Sequence, residues 1–227
     1  VAGEVTVKNV SMLSKQADTA ICTALVRAGA AVINDEDSVT ASHRPLRAFE
    51  FDATHCPDLF PALAALAAAA QGESVIRGTS RLEHKECNRA DAIREEYAKA
   101  GIEVDTSQED IMRIRGGRIR QARVQSHGDH RMAMSLAVAG LLCDGEMTIE
   151  GAECVAKSYP GFFEDLEKIR MVGDRCYDIE GANREGIRAI GVLYGYGSKE
   201  ELEEAGADGL AETPEEVVRM ILNGMHP

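Results

Sequence analysis

The sequence predicts an α/β (α+β) fold in two parts. Residues 1–168 read as a repeat-built domain of two-helix β/α units, and residues 169–227 as a small βαβα, Rossmann-like tail. Three observations carry this reading. Apolar, Ala-rich helical runs stop at Gly29, Gly72, Gly101 and Gly145, and each stop is followed by a short strand pattern. The stops recur at matched offsets: Gly29 to Gly101 is 72 residues and Gly72 to Gly145 is 73, the self-similarity of a repeat. After Lys168, strands and helices alternate, as in a parallel sheet.

In chain order, a strand over 4–10 leads to a helix over 16–27, closed by Gly29, and a strand over 31–33. A strand over 46–51 precedes the helix over 58–70, DLFPALAALAAAA, closed by Gln71-Gly72 and followed by a strand over 74–77. A third helix over 88–100 closes at Gly101 and feeds strands over 103–105 and 111–114. The fourth, over 130–143, closes at Asp144-Gly145 before a strand over 146–150. At about 72 residues per unit, residues 1–168 hold little more than two units, and the opening part of a third is expected to be missing. The tail reads as strand 169–172, helix 178–185, a turn at Gly186, strand 189–193, helix 198–205 and a last helix from Pro214.

The net charge of −13 argues against nucleic acid and against anionic membrane surfaces as general partners. The tail carries 6 Lys/Arg against 12 Asp/Glu, and the first part 19 against 26, so the tail is more acidic per residue. The longest apolar run, 63–70, is too short to span a bilayer. The six cysteines form no Cys-x-x-Cys pair and the histidines complete no zinc pattern, which suits reduced thiols in a cytoplasmic protein. The chain opens at Val1, in mid-pattern, as a fragment does. His43, His55, His84 and His127 read as surface or capping residues.

Against that acidic background, two short segments concentrate cations around carboxylates: Lys85-Glu86-Cys87-Asn88-Arg89 and Gly128-Asp129-His130-Arg131. Each opens a helix. Glu86 and Arg89, three apart, share a face on a helix, and a helix start favours anions. With Asp58 in the first turn of its helix and Lys157 before Ser158-Tyr159-Pro160, they suggest a pocket for an anionic substrate. A carboxylate inside it could move a proton. The same spacing also fits ordinary caps and surface pairs.

The segments CPDLFP (56–61), RLEHKECNR (81–89), GDHRMAM (128–134) and KSYP (157–160) resemble 5-enolpyruvylshikimate-3-phosphate synthases over residues 1 to about 168. The related enolpyruvyl transferases of peptidoglycan synthesis lack the Lys-Glu-x-x-Arg and Asp-His-Arg signatures and fit less well. The resemblance implies an enolpyruvyl-transferase-type domain and transfer of the enolpyruvyl group of phosphoenolpyruvate to the 5-hydroxyl of shikimate 3-phosphate, with no metal or organic cofactor. It implies Asp58 as the base near the 5-hydroxyl and Glu86 as proton donor to the methylene carbon. Arg89, Arg131 and Lys157 would hold phosphoenolpyruvate, Lys85 would contact shikimate 3-phosphate, and Asp129 and His130 would shape the site. Two departures stand out. Cys87-Asn88 replaces the usual Ser/Thr-Asp, removing a carboxylate beside Arg89, and Arg81 stands where some members have a substrate-binding Asn. The family's N-terminal domain, which forms the other wall of its cleft, is not in this sequence. A complementing N-terminal half is therefore an expected partner, and a non-catalytic remnant that keeps the fold is the alternative.

In the tail, Gly173-Asp174-Arg175 with Asp178, and the run Gly191-Val192-Leu193-Tyr194-Gly195-Tyr196-Gly197, resemble haloacid-dehalogenase-type phosphatases of the phosphoglycolate phosphatase kind. That resemblance implies Asp174 as a Mg²⁺ ligand with Asp178 as its companion, and a Mg²⁺-dependent phosphatase fragment as a further alternative. The nucleophile motif Asp-x-Asp-Gly does not occur in the sequence.

Overall fold

A computed structural model describes residues 4–10, 14–42, 44–167, 171–184 and 188–223. They fall into two compact units, Glu4–Tyr159 and the segment from Pro160 onward. The boundary expected at residue 168 lies outside the described residues, as do the start of the 169–172 strand, the Gly186 turn and His43.

The first unit opens with β1 (Glu4–Lys8), a 3₁₀ turn (Ala17–Ala20) running into α1 (Ile21–Arg27), β2 (Ala31–Asn34) and β3 (Ser38–Ser42). These strands form an antiparallel sheet in the order β1-β3-β2. Next come β4 (Glu50–Asp52), α2 (Phe60–Ala69), β5 (Gly72–Arg77), α3 (Arg89–Lys99), β6 (Glu103–Asp105) and β7 (Ile111–Gly116). Their sheet runs β4-β5-β7-β6, with β4 parallel to β5 and the other pairs antiparallel. Last are β8 (Ile119–Gln125), α4 (His130–Gly140) and β9 (Cys143–Glu150), with β8 and β9 a parallel pair.

The repeat is visible in this topology. The arrangement β1-α1-β2-β3 reproduces β5-α3-β6-β7, and β8-α4-β9 reproduces β4-α2-β5. Equivalent helices end on equivalent glycines: Gly29 and Gly101 after α1 and α3, Gly72 and Gly145 after α2 and α4. All four have left-handed φ, between +82° and +107°, a conformation that a side chain would strain.

Residue chemistry explains the layering. α2 is apolar all round, so it is buried; Phe60, Leu63, Ala64, Ala67 and Ala68 have no exposure. The small Ala side chains let α3 and α4 approach it closely. One polar link ties all three. Ser135 Oγ on α4 donates to the Pro61 carbonyl of α2 at 2.5 Å. Its single hydrogen is thereby used, so the Tyr97 phenol of α3 donates to Ser135 Oγ at 2.6 Å.

Two strands of the first unit escape the sequence pattern. β3 is SVTAS, with only Val39 buried. β8 is IRQARVQ, and a register shift between Arg120 and Ala122 breaks its alternation.

The second unit contains α5 (Phe162–Glu167), β10 (Met171–Gly173), α6 (Cys176–Arg184), β11 (Ala189–Val192), α7 (Lys199–Glu204), β12 (Gly209–Ala211) and α8 (Pro214–Asn223). Its strands form a parallel sheet in the order β10-β11-β12. Central β11 is buried along its whole length, as expected of a strand covered on both faces. The short β12 is an element that the sequence did not signal.

Candidate active site

Arg89 organises the site. It is the first residue of α3, and its side chain is completely buried. Its Nε donates to Asp129 Oδ2 at 2.6 Å, with a longer NH2 contact to Asp129 Oδ1 at 3.4 Å. NH1 donates to Asp58 Oδ1 and NH2 to Glu86 Oε2, both at 2.6 Å. Three elements are thus joined: the turn before α2, the start of α3 and the start of α4. A buried guanidinium needs such partners, and the rigid fork suits several carboxylates at once.

Asp58 is the most contested carboxylate. Besides Arg89 it meets Lys85 Nζ at 3.0 Å and Arg131 NH2 at 3.5 Å. Burial works to raise its carboxyl, but hydrogen bonds from Arg89 and Lys85 outweigh burial and hold it at about 2. Asp129 is fully buried and caps α4 by accepting from the Arg131 amide at 2.9 Å. Burial also opposes its ionisation, and the Arg89 hydrogen bond again prevails, so its carboxyl lies below the usual range.

The remaining predicted residues surround this hub. Arg131 reaches a fourth acid, Asp18, at 3.8 Å from the turn before α1. Lys157 Nζ donates to the Gly128 carbonyl at 3.0 Å. A His130 ring nitrogen lies within 4.8 Å of carboxylate oxygens of Glu86 and Asp129, and His130 Nδ1 is buried with no hydrogen-bond partner. Four cations, Lys85, Arg89, Arg131 and Lys157, therefore stand among four acids, Asp18, Asp58, Glu86 and Asp129. The cations and acids around Arg89 are thus equal in number, with Lys157 held by a backbone carbonyl and the other three cations by carboxylates.

Cys87 and Asn88 take separate parts. Asn88 caps α3, accepting from the Asp91 amide at 3.3 Å, and its amide nitrogen donates to Asp91 Oδ2 at 2.6 Å. It takes no part in the carboxylate set around Arg89. Cys87 Sγ lies 3.8 Å from Asp129 Oδ2. Burial, with Asp129 next in effect, pushes its thiol up to about 11.

The sequence missed Asp18 and a second anchor behind the site. Glu96 of α3, its side chain 1% exposed, accepts from the Gln125 amide at 2.9 Å and lies 2.7 Å from His127 Nε2. Lys99 covers both its oxygens, at 2.8 and 2.7 Å. His127 and Gly128 both have left-handed φ and turn the chain into α4. The only signal was the acid-plus-lysine pair at 96 and 99, a common feature of helix surfaces.

In the second unit, Asp174 and Asp178 gather at the carboxyl end of β10. Asp174 Oδ2 accepts from the Tyr196 amide at 2.8 Å, and Asp178 Oδ2 from the Arg175 amide at 3.3 Å. The backbone beneath them has no room for side chains. A Cβ on Gly195 would lie 2.1 Å from the Asp174 Cβ, and one on Gly173 would lie 2.2 Å from the Asp178 Cβ. Among the described residues, neither Asp belongs to a cluster of three metal-ligating groups.

Among the described residues, no helix is long and apolar enough to cross a membrane. The family model for EPSP synthase (3-phosphoshikimate 1-carboxyvinyltransferase) matches residues 1–166, and one for HAD-hydrolase-like proteins matches residues 130–222. The chain is 44% identical over 158 residues to a 3-phosphoshikimate 1-carboxyvinyltransferase of Methanocella arvoryzae, covering 69% of this chain and 37% of that one. A protein of the same name from Thermococcus kodakarensis is 41% identical, with 74% of this chain and 41% of that one covered. Among solved structures, an EPSP synthase of Acinetobacter baumannii superposes with a TM-score of 0.63 at 29% identity, covering 72% of this chain and 41% of that one. The enolpyruvyl transferase NikO of Streptomyces tendae, at 24% identity and a TM-score of 0.54, shares the fold. The chain spans about two fifths of the length of these curated relatives. With its family match over residues 1–166, carrying the Arg89 hub and every acid and base around it, the chain belongs to the EPSP synthase family.

Proposed function

We propose that residues 1–168 supply one wall of an enolpyruvyl-transfer site for phosphoenolpyruvate and shikimate 3-phosphate, and that a complementing N-terminal half supplies the other. The observation that supports this most is the convergence of Asp58, Glu86 and Asp129 on buried Arg89, ringed by Lys85, Arg131 and Lys157. In the transfer, the 5-hydroxyl oxygen bonds to C2 of phosphoenolpyruvate while C3 gains a proton. Loss of phosphate and of a C3 proton then restores the double bond. The first step needs an acid and a base, and both need cations around the phosphate and carboxylate.

The charge balance of the resting site gives these roles a physical order. Asp58, held at about 2 by its cations, is a weak base at rest. An anionic substrate that draws Lys85 and Arg131 away leaves Asp58 less stabilised as a carboxylate and so more basic. Substrate arrival then readies the base for the 5-hydroxyl proton. Glu86, which shares Arg89 with Asp58, is the proton donor to C3, with His130 beside it. Arg89 acts chiefly by holding the three acids in place. This part of the chain needs no metal for the chemistry. A cytoplasmic setting belongs to the same reading.

For the tail, Asp174 and Asp178 each keep one oxygen free of the hydrogen bonds described above, a donor set that suits a largely hydrated Mg²⁺. Such an ion would neutralise phosphate oxygens. No phosphoryl-transfer step follows from the sequence, which has no Asp-x-Asp-Gly nucleophile motif.

The test is phosphate release from phosphoenolpyruvate plus shikimate 3-phosphate, with and without the N-terminal half of the Methanocella arvoryzae relative. Turnover on complementation, lost in Glu86→Gln, supports the reading. Silence in both mixtures, with both halves folded, leaves a non-catalytic remnant. For the tail, Mg²⁺-dependent hydrolysis of p-nitrophenyl phosphate that disappears in Asp174→Asn would favour the phosphatase reading instead.

A further inference from the structure

The turn from β8 into α4 is braced from two sides. On one side is Ser126, buried just past the end of β8. Its amide donates to the Glu150 carbonyl and its hydroxyl to the Gly151 carbonyl, both at 2.9 Å. The same hydroxyl accepts from the Gly128 amide at 3.2 Å, and the Ser126 carbonyl accepts from the Asp129 amide at 3.0 Å. On the other side is Glu96 of α3, which accepts from the Gln125 amide and meets His127 Nε2. The backbone between these braces is strained. His127 has a φ of +55°, in the left-handed region that is uncommon for a residue with a Cβ and persists only where the surroundings enforce it.

A helix-surface Glu–Lys pair ordinarily keeps its carboxylate in water. Glu96 is buried instead. Burial works to raise its carboxyl, but hydrogen bonds from Lys99, from the Gln125 amide and from His127 outweigh burial and leave the group below its ordinary value. A buried charge needs fixed partners, and two of these three flank Ser126. Positions 89 and 96, two helical turns apart, share a face of α3 and lie roughly 10 Å apart along it. One rigid helix therefore presents Arg89 to Asp129 and Glu96 to the residues just before Asp129.

We propose that Glu96 is a positioning residue for the Arg89 site: by holding the turn at 125–128, it sets where Asp129 meets Arg89 and where the Gly128 carbonyl meets Lys157. Glu96 acts through the turn, not on a substrate. Asp129 keeps two bonds, one from Arg89 Nε and one from the Arg131 amide that it caps, and both depend on the backbone that leads into α4. Loosening the turn should disturb the Arg89–Asp129 pair and Lys157 together. Lys85, held by Asp58 from the turn before α2, should stay in place. The kinetic consequence rests on the enolpyruvyl-transfer reading; the geometric one does not.

The test compares Glu96→Ala and Glu96→Gln in the full chain with Ile102→Val, which trims the core just beyond α3. Circular dichroism checks that each variant folds. Heteronuclear NMR follows exchange of the Arg89 Nε–H with water, relative to the slowest core amides. In Glu96→Ala this exchange should be at least about tenfold faster than in the parent, as for a lost hydrogen bond. Glu96→Gln keeps an oxygen for the Gln125 amide, so it should be intermediate, at least about threefold faster; it carries the comparison if Glu96→Ala does not fold. Ile102→Val should leave the ratio unchanged. In the complemented enzyme, Glu96→Gln should raise KM for phosphoenolpyruvate at least about fivefold and hold KM for shikimate 3-phosphate within about twofold. A purely structural role would lower the amount of active enzyme and leave both KM values alone. The proposal is overturned if Arg89 exchange in the folded Glu96 variants matches the parent, if Ile102→Val accelerates it equally, or if both KM values rise together. A silent complemented parent sinks the transfer reading instead, and the Arg89 exchange still decides whether Glu96 positions Asp129.

Discussion

The Nε of Arg89 and the Oδ2 of Asp129 lie 2.6 Å apart with neither side chain exposed to solvent. The pair joins the first turn of α3 to the N-cap of α4, elements 40 residues apart in sequence. A charge pair withdrawn from water in this way is costly to make and costlier to halve.

Removing Arg89 leaves Asp129 buried and unpaired, with Asp58 and Glu86 losing their common donor. Arg89→Ala is expected to destabilise the first unit by about 3–5 kcal/mol. Arg89→Lys recovers little of it, because an ammonium cannot match the fork. Urea unfolding followed by circular dichroism measures both; a loss under about 1 kcal/mol for Arg89→Ala would show that the hub is dispensable.

Asp58 links stability to acidity. Its carboxyl is lower in the folded state, at about 2, than its ordinary value of 3.8, so the unfolded chain binds the proton first. The stability that it contributes is complete above about pH 4 and drains away as pH falls towards 2. Because Asp58 is about a third exposed, the effect is modest. In Asp58→Asn the slope of stability between pH 4 and 2 should be shallower than in the parent, and equal slopes would contradict the assignment.

Asn88 works as a cap. Asn and Asp are equivalent N-caps, so Asn88→Asp, which restores the family's usual acid, should change stability by no more than about 0.5 kcal/mol. Asn88→Ala should cost about 1 kcal/mol. If Asn88→Asp instead stabilised strongly, position 88 would be coupled to Arg89 after all.

Cys87, with its thiol pushed to about 11, should resist alkylation at neutral pH despite lying next to Glu86 at the site. Peptide mapping after brief iodoacetamide treatment should find it mostly unmodified in the folded chain and modified after denaturation. Rapid labelling of the native protein would mean that the thiolate is stabilised there.

Local chemistry determined what the sequence could reveal. Helices ending on Gly29, Gly72, Gly101 and Gly145 were legible because each glycine adopts the left-handed conformation that ends a helix. The two charged clusters were legible as a candidate site because each sits within a few residues at a helix start. β8 was not, since its register shift after Arg120 breaks the period of two, and β3 was not, since Ser and Thr dominate it. Asp18 meets Arg131 across more than 100 residues of chain, a distance that no linear pattern spans. The resting charge balance was hidden for the same reason: cations can be counted along a sequence, but their partners are set by packing.

The hydroxyl chain from Tyr97 through Ser135 to the Pro61 carbonyl ties together helices from two successive repeats. Repeat proteins often fray one unit at a time. Here α4 cannot lift away without stranding a buried phenol on α3. The three helices should therefore open as one cooperative block, with their slowest-exchanging amides converging on a single opening free energy. Replacing Ser135 with Ala should split that block, letting α4 exchange ahead of α2 and α3.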